Sequence, residues 1–278
     1  MSAEEQSRFL QQLAEDLNSK NIQLPSFPDV VINIRTALED PSCTSERLGA
    51  VVRTDPVLVA RLLMSANSSF HNRAGIEIVD LNLAISRLGF EVVRNTAITL
   101  AVEQIFVASE HKTVQALIKQ LWSGSLSLAS MSFVIAARGA INLNPDNAFL
   151  CGLLHDIGKL YILTKARDFP NLLGDEESLK TVQDQWSASV GKSIIEAWGF
   201  PDDIADSAEI NENLNSGSAS LVDVVYLAKQ LIKFEDEAIN QSGFEAPAAK
   251  LNISADSLPG LREAYTLHAA SMRQSAGS

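Results

Sequence analysis

The chain has 278 residues, with 22 lysines and arginines against 34 aspartates and glutamates, for a formal net charge of −12. At 46% hydrophobic and 20% charged residues it is too apolar for a disordered chain, and it is long enough to fold without a metal or a disulfide. The acidic balance, with no run of clustered Lys or Arg, excludes a general grip on phosphate backbones and disfavours nucleic acid as a partner.

Apolar residues recur at helical spacing almost throughout. Phe9, Leu10, Leu13 and Leu17 predict a first helix. Leu24-Pro25-Ser26-Phe27-Pro28 breaks it, because two prolines cannot sit in its interior. A second helix opens near Pro28-Asp29, buries Val30, Val31, Ile34 and Leu38, and ends at Asp40-Pro41. Thr44 caps a short helix through Arg53. Asp55 caps the next, with Pro56 at the first helical position, where a missing N–H costs nothing. From Val57 to Ala66 that helix is apolar nearly all round, which predicts a central, buried element.

Asn67 to Gly75 is a polar connection, and helical patterning resumes over 80–88 and 90–108, parted by Gly89. A longer run over 113–139 carries Leu117, Leu121, Trp122, Leu126, Leu128, Met131 and Phe133, and stops at Gly139. Asn144-Pro145-Asp146 starts a helix that leads through Phe149, Leu150, Leu153 and Leu154 into His155-Asp156. Val190, Ile194 and Trp198 mark a later helix, as do Leu221, Val224, Val225, Ala228, Leu231 and Ile232. The tail repeats the pattern with Leu261, Tyr265 and Met272. No stretch of period two demands a sheet, so the fold class is all-α, with residues 109–113 the best place for an internal boundary.

The remaining inventory sets the compartment. Cys43 and Cys151 lack any CxxC or CxxH neighbour, which argues against a disulfide framework or a cysteine zinc site. Met1 to Gln6 has no signal-peptide character, and no segment approaches the ~20 apolar residues that span a bilayer. A reducing cytoplasm, with no membrane partner, is expected. Nine acids across residues 201–240 face only Lys229 and Lys233. This charge reads as a solvated surface, or more sharply as a dock for a basic partner.

One string could carry chemistry: Gly152-Leu153-Leu154-His155-Asp156-Ile157-Gly158-Lys159-Leu160. An adjacent imidazole and carboxylate suit a divalent metal, and Lys159 could hold a phosphate oxygen. A lone His-Asp pair is more often a hydrogen-bonded structural unit. Asn67-Ser68 reads as a pin for the following loop, with ligand contact as the alternative. Arg87, Arg94 and Lys159 could meet an anionic ligand, and Trp122, Trp186 and Trp198 read as core or interface aromatics. There is no GxGxxG, P-loop, GxSxG or HExxH.

The string resembles the HD motif of the HD-domain phosphohydrolase superfamily. The whole chain resembles the HDOD family, the HD-related output domain of bacterial signalling proteins. The likeness begins at Leu24-Pro25-Ser26-Phe27-Pro28 and continues through Asp40-Pro41, Thr54-Asp55-Pro56-Val57-Leu58 and Arg61 to Ser68. It then takes in Ala84-Ile85-Ser86-Arg87-Leu88-Gly89, the His-Asp string and Trp198-Gly199-Phe200-Pro201. It implies an HD-domain/phosphodiesterase-like helical bundle with an N-terminal helical subdomain. The halves would be residues 1–110 and 111–240, followed by an extension or tail over 241–278.

Catalytic HD enzymes use an upstream histidine, the His-Asp pair and a distal aspartate on one or two metals. In this chain the place after Leu121-Trp122-Ser123 holds Gly124. Ser187 stands where a further histidine often precedes Val-Gly, Asn211-Glu212 where a His-His pair often lies, and Lys229 in place of the distal aspartate. The other histidines, His71, His111 and His268, match no ligand position. Two ligands fall short of the three that a catalytic zinc keeps, and a lysine adds positive charge where a cation should sit. His155 and Asp156 are therefore expected to be a remnant, with no catalytic residue, metal or cofactor. Lys159, Asn67, Ser68 and Arg87 are the candidate contacts for a ligand or partner.

The resemblance thus implies a non-catalytic signal-transduction module that binds a small regulatory ligand or a signalling protein in trans. The alternative is a metal-dependent phosphohydrolase with a reduced ligand set at His155 and Asp156. Weak Mg²⁺ or Mn²⁺ binding through the plentiful carboxylates stays open.

Overall fold

The computed structural model describes residues 3–18, 28–106, 112–139, 142–209, 217–233 and 245–276. Among them every regular element is helical, which makes the chain all-α. Outside them lie Leu24 to Phe27, His111, most of the 109–113 boundary, Asn211-Glu212 and the acids Glu235 to Glu237.

The first helices follow the expected punctuation. Helix α1 (Ala3–Asn18) buries Phe9 and Leu13. Helix α2 (Asp29–Leu38) starts after Pro28 and buries Val30, Val31 and Ile34. Thr44 caps α3 (Ser45–Val52) by accepting from the Arg47 amide. Asp55 caps α4 (Pro56–Asn67) by accepting from Val57 and Leu58 at 2.9 and 3.1 Å.

Helix α4 corrects the reading of a fully buried element. It buries Leu58, Leu62, Ser65 and Ala66, while Val57 and Met64 face water at 50% and 39% exposure. The central helix is α6 (Phe90–Phe106), whose run from Asn95 to Val102 is entirely buried. Its mixed composition hid this, because Asn95, Thr96 and Thr99 are buried polar residues that hydrogen bond within the fold. Between α4 and α6, Asp80 caps α5 (Leu81–Leu88).

The second part is organised by α7 (Lys112–Arg138), which packs on α8 (Pro145–Leu154), α13 (Leu221–Lys233) and α15 (Leu258–Ala276). Asn144 caps α8, accepting from Asp146 at 2.8 Å and Asn147 at 3.3 Å. Periodicity did not single out α9 (Ile157–Ala166), which follows α8 almost without a break. The short α10 (Pro170–Leu173) leads to the long α11 (Glu176–Ala197), and α12 (Asp202–Ala205) continues into a single 3-10 turn, Asp206–Ala208. Helix α14 (Glu245–Lys250) packs on α13.

A continuous buried apolar cluster runs from Phe9 to Ala264, so the N-terminal helices, the His-Asp region and α15 share a core. At the rim Arg35 of α2 donates to the carbonyls of Trp198 and Gly199 at 2.6 and 3.0 Å and lies over the Phe200 ring. This ties the Trp-Gly-Phe-Pro turn to the first part. The acidic stretch is not all solvated: Asp223 is 3% exposed, bonds Ser220 at the start of α13 and pairs with Lys250 at 3.0 Å. No helix among the described residues is long and apolar enough to cross a membrane.

Candidate functional site

His155 closes α8 and Asp156 opens α9, so the pair sits at the joint between two helices. The glycines of the string set that joint. A Cβ on Gly152 would lie 2.7 Å from both the Ala129 Cα and the Leu128 carbonyl of α7. A Cβ on Gly158 would overlap the Ser187 carbonyl of α11 outright and come to 2.8 Å from the Gly191 nitrogen. Only glycine permits such backbone contact. The two glycines of the string are thus a packing device that fixes where His155 and Asp156 stand.

His155 is 8% exposed and uses both ring nitrogens. Nδ1 lies 2.8 Å from the Ser207 carbonyl, which can only accept, so Nδ1 carries the proton and donates. Nε2 therefore presents a lone pair, and the Lys229 ammonium of α13 donates into it at 2.8 Å. Asp156 Oδ1 lies 2.8 Å from Lys159 Nζ and 4.0 Å from His155 Nε2.

The electrostatics follow from this crowding. Burial pushes the His155 pKa down to about 4; the Asp156 charge opposes that shift and the charge of Lys229 adds to it. Burial also lowers Lys229, against the pull of Asp156. Burial acts to raise Asp156, yet His155, Lys159 and Lys229 together hold it below the usual carboxylate value.

A metal-ligating histidine commonly anchors one nitrogen on a carbonyl and offers the other to the ion. The His155–Ser207 bond keeps the anchoring half. The offering half is taken, because the Lys229 ammonium stands on the lone pair that a dication would need. Gly124, at the place of the upstream histidine, supplies no donor atom, and a Cβ there meets nothing within 4 Å. Ser187 presents its carbonyl to Gly158. Among the described residues no group of three His, Cys, Asp or Glu side chains is placed to hold an ion. This donor set does not fit a divalent metal.

The other candidate residues divide into two places. Lys159 belongs to the His-Asp joint through Asp156. Asn67, Ser68 and Arg87 gather around the connection after α4. Asn67 donates to Leu63 and Ile78 carbonyls at 2.9 and 2.8 Å and accepts from the Ile78 amide at 2.8 Å. Arg87 donates to Asn72 at 2.9 Å, and Ser68 shares a 2.8 Å hydroxyl contact with Ser271 of α15. Arg94 pairs with Glu91 at 2.5 Å and donates to Asn147.

Matching histidines to ligand positions overlooked His268, which is buried beside Phe133 and Phe70. The signal was present, since Leu261, Tyr265, His268 and Met272 recur at helical spacing on one face.

Comparison with known proteins bears on the family and the fold. Residues 24–214 match the HDOD domain model. A protein of Shewanella amazonensis SB2B, described as a candidate metal-dependent phosphohydrolase, superimposes with a TM-score of 0.76 at 21% identity, covering 95% of this chain and 99% of that one. A candidate signal transduction protein of Marinobacter aquaeolei VT8 gives a TM-score of 0.66 at 19% identity, covering 96% of this chain and 66% of that one. These likenesses establish the fold alone. An uncharacterized protein of Treponema pallidum (strain Nichols) is 21% identical over 241 residues, which is 81% of this chain and 45% of that protein, so the chain spans about half its length. With most of its length matched in the family's own order, the chain belongs to the HDOD domain family.

Proposed function

We propose that this chain is a non-catalytic bacterial signal-transduction module of the cytoplasm, which works by binding a protein partner or a small regulatory ligand. The observation that carries the reading is the Lys229 ammonium 2.8 Å from His155 Nε2. The lysine supplies in place the positive charge that a metal would bring, but it cannot ionise a water or bridge phosphate oxygens as two metals do. The His-Asp joint then serves the fold, coupling α8, α9 and α13. In this reading residues 1–110 and 111–240 form the two halves of the module, and 241–278 extend it. Lys159, Asn67, Ser68 and Arg87 remain the proposed contacts for a ligand or partner.

The second reading, a phosphohydrolase with a reduced ligand set, draws on the intact His155–Ser207 anchor. One assay separates the two. The purified chain is offered cyclic nucleotides, cyclic dinucleotides and nucleotides with added Mg²⁺, Mn²⁺ or Ni²⁺. The expected outcome is no turnover. Turnover that disappears in a His155→Ala, Asp156→Ala double variant overturns the module reading.

A further inference from the structure

The connection between α4 and α5 is held by side chains rather than by neighbouring backbone. Asn67 accepts from the Ile78 amide at 2.8 Å and donates to the Ile78 carbonyl at 2.8 Å. Asn72, itself held by Arg87 at 2.9 Å, donates to the Ile76 carbonyl at 2.7 Å. Asp80 ends the segment in extended backbone, with φ −88° and ψ 125°.

Asn67 therefore pairs both backbone groups of Ile78, as a neighbouring strand does in an antiparallel ladder. In extended backbone the amide and carbonyl of one residue point to one edge, and those of the next residue to the other. Ile76 and Ile78 spend theirs inward, which turns those of Glu77 and Val79 outward. Both residues are exposed, and neither has a hydrogen-bond partner among the described residues.

The side chains beside this edge are apolar. Among the described residues the three most exposed large apolar side chains are Val79 at 77%, Ile76 at 68% and Leu83 at 53%. All three fall between positions 76 and 83, while Ile78 is buried and anchors the segment in the core.

These features select the occupant. An unpaired strand edge is a template for another strand. A helix does not fit, because its backbone groups are spent on itself. Charge then decides between a second copy and another protein. The edge carries Glu77 and Asp80, Arg73 precedes the extended segment, and the chain has a net charge of −12. Pairing of two copies would bring these acids together, and like charges opposite each other destabilise a ladder. A basic segment meets them favourably.

We propose that residues 76–80 form a docking edge for an extended, basic segment of a partner protein, which adds as a strand with its backbone on Glu77 and Val79 and its apolar side chains against Ile76, Val79 and Leu83. The inference deepens the binding-module reading by giving the partner's chemistry, and rests on that reading for its signalling consequence.

The test uses the full chain and a fluorescein-labelled heptapeptide, Thr-Lys-Val-Thr-Val-Lys-Thr, followed by anisotropy. Saturable one-to-one binding is expected, with the Glu77 and Val79 amides gaining exchange protection by NMR. The same peptide N-methylated at every residue keeps its side chains and loses its donors, and should bind about tenfold more weakly or worse. Glutamate in place of its lysines should weaken it as well. Val79→Pro removes an outward N–H and leaves the Asn67 pairing alone, so it should weaken the parent peptide about tenfold, with its melting temperature as the check on folding. The edge is overturned by absence of saturable binding or by equal binding of the methylated peptide. A dimer in sedimentation that Val79→Pro disrupts overturns the partner segment in favour of a second copy. Metal-dependent turnover is measured on the same samples. Turnover with peptide binding intact defeats the module reading alone, while no binding and no turnover defeats the docking edge alone.

Discussion

His155 and His268 are both less than a tenth exposed, and burial lowers the pKa of each, to about 4 and about 3. What meets them differs. His155 stands among Asp156, Lys159 and Lys229 with both nitrogens engaged. His268 stands among Phe70, Phe133 and Phe149 with Nδ1 unpartnered. The histidine that carries the family motif has been absorbed into the fold, with its lone pair occupied from within the chain. The histidine outside the motif lines a cavity, and its Nδ1 has no partner among the described residues. The two histidines thus differ in whether the chain itself supplies hydrogen-bond partners to the ring.

The comparison breaks most sharply at the joint beneath His155. If backbone contact between α9 and α11 holds that histidine in place, Gly158→Ala is the most damaging small change available. The added Cβ overlaps the Ser187 carbonyl, and neither backbone can retreat without moving its helix. The expected loss is about 3 kcal/mol or more, read as a lower urea midpoint. A loss below about 1 kcal/mol would show that the joint is looser than the geometry requires.

The aromatic nest around His268 offers the next effect, through pH. The unfolded ring takes up a proton near its model value of 6.5, and the folded ring refuses it until about pH 3. The unfolded state therefore binds more protons between those values. This contribution to stability is complete above pH 6.5 and is lost as pH falls toward 3. At pH 4 the cost is about 3 kcal/mol. His268→Phe keeps the ring and removes the titration, so relative to the parent it should gain about 3 kcal/mol between pH 7 and pH 4 in urea unfolding. His71, which burial also lowers, and Asp146, which burial raises, face the same nest and stay in both proteins. Parallel curves for parent and variant would show that the nest does not hold His268 neutral.

The legibility of these regions in the sequence was uneven for physical reasons. Caps were plain, because Thr44, Asp55 and Asn144 are oxygens placed where free amides need them. The place of α4 was misjudged, since an apolar surface can remain exposed and composition alone does not say which face meets water. The burial of α6 was hidden by Asn95 and the threonines, whose polar atoms are paired inside the fold. Lys229 was legible as the wrong charge at a ligand position. Its contact with His155 was not, because 74 residues separate them and only the packing of α13 on α8 brings them together. The cavity was illegible for the same reason, being assembled from α6, α7, α8 and α15.

Gly124 gives the smallest effect and the finest test of the comparison. Gly152 and Gly158 are held to glycine by backbone neighbours, whereas Gly124 is exposed within α7 and a Cβ there meets nothing within 4 Å. No contact demands glycine at the place where the catalytic pattern has a histidine. Relief of glycine's backbone entropy in mid-helix should then make Gly124→Ala stabilising by about 0.5–1 kcal/mol, a rise in melting temperature of about 1–2 °C. Gly124→His should also fold, yet it leaves the Lys229 ammonium on His155 Nε2. Added Mn²⁺ should therefore shift the melting temperature of Gly124→His no more than it shifts that of the parent chain. A larger shift in the variant would mean that the lysine yields its place to a metal once a third ligand is supplied, and that the joint at His155 is no more closed than the cavity at His268.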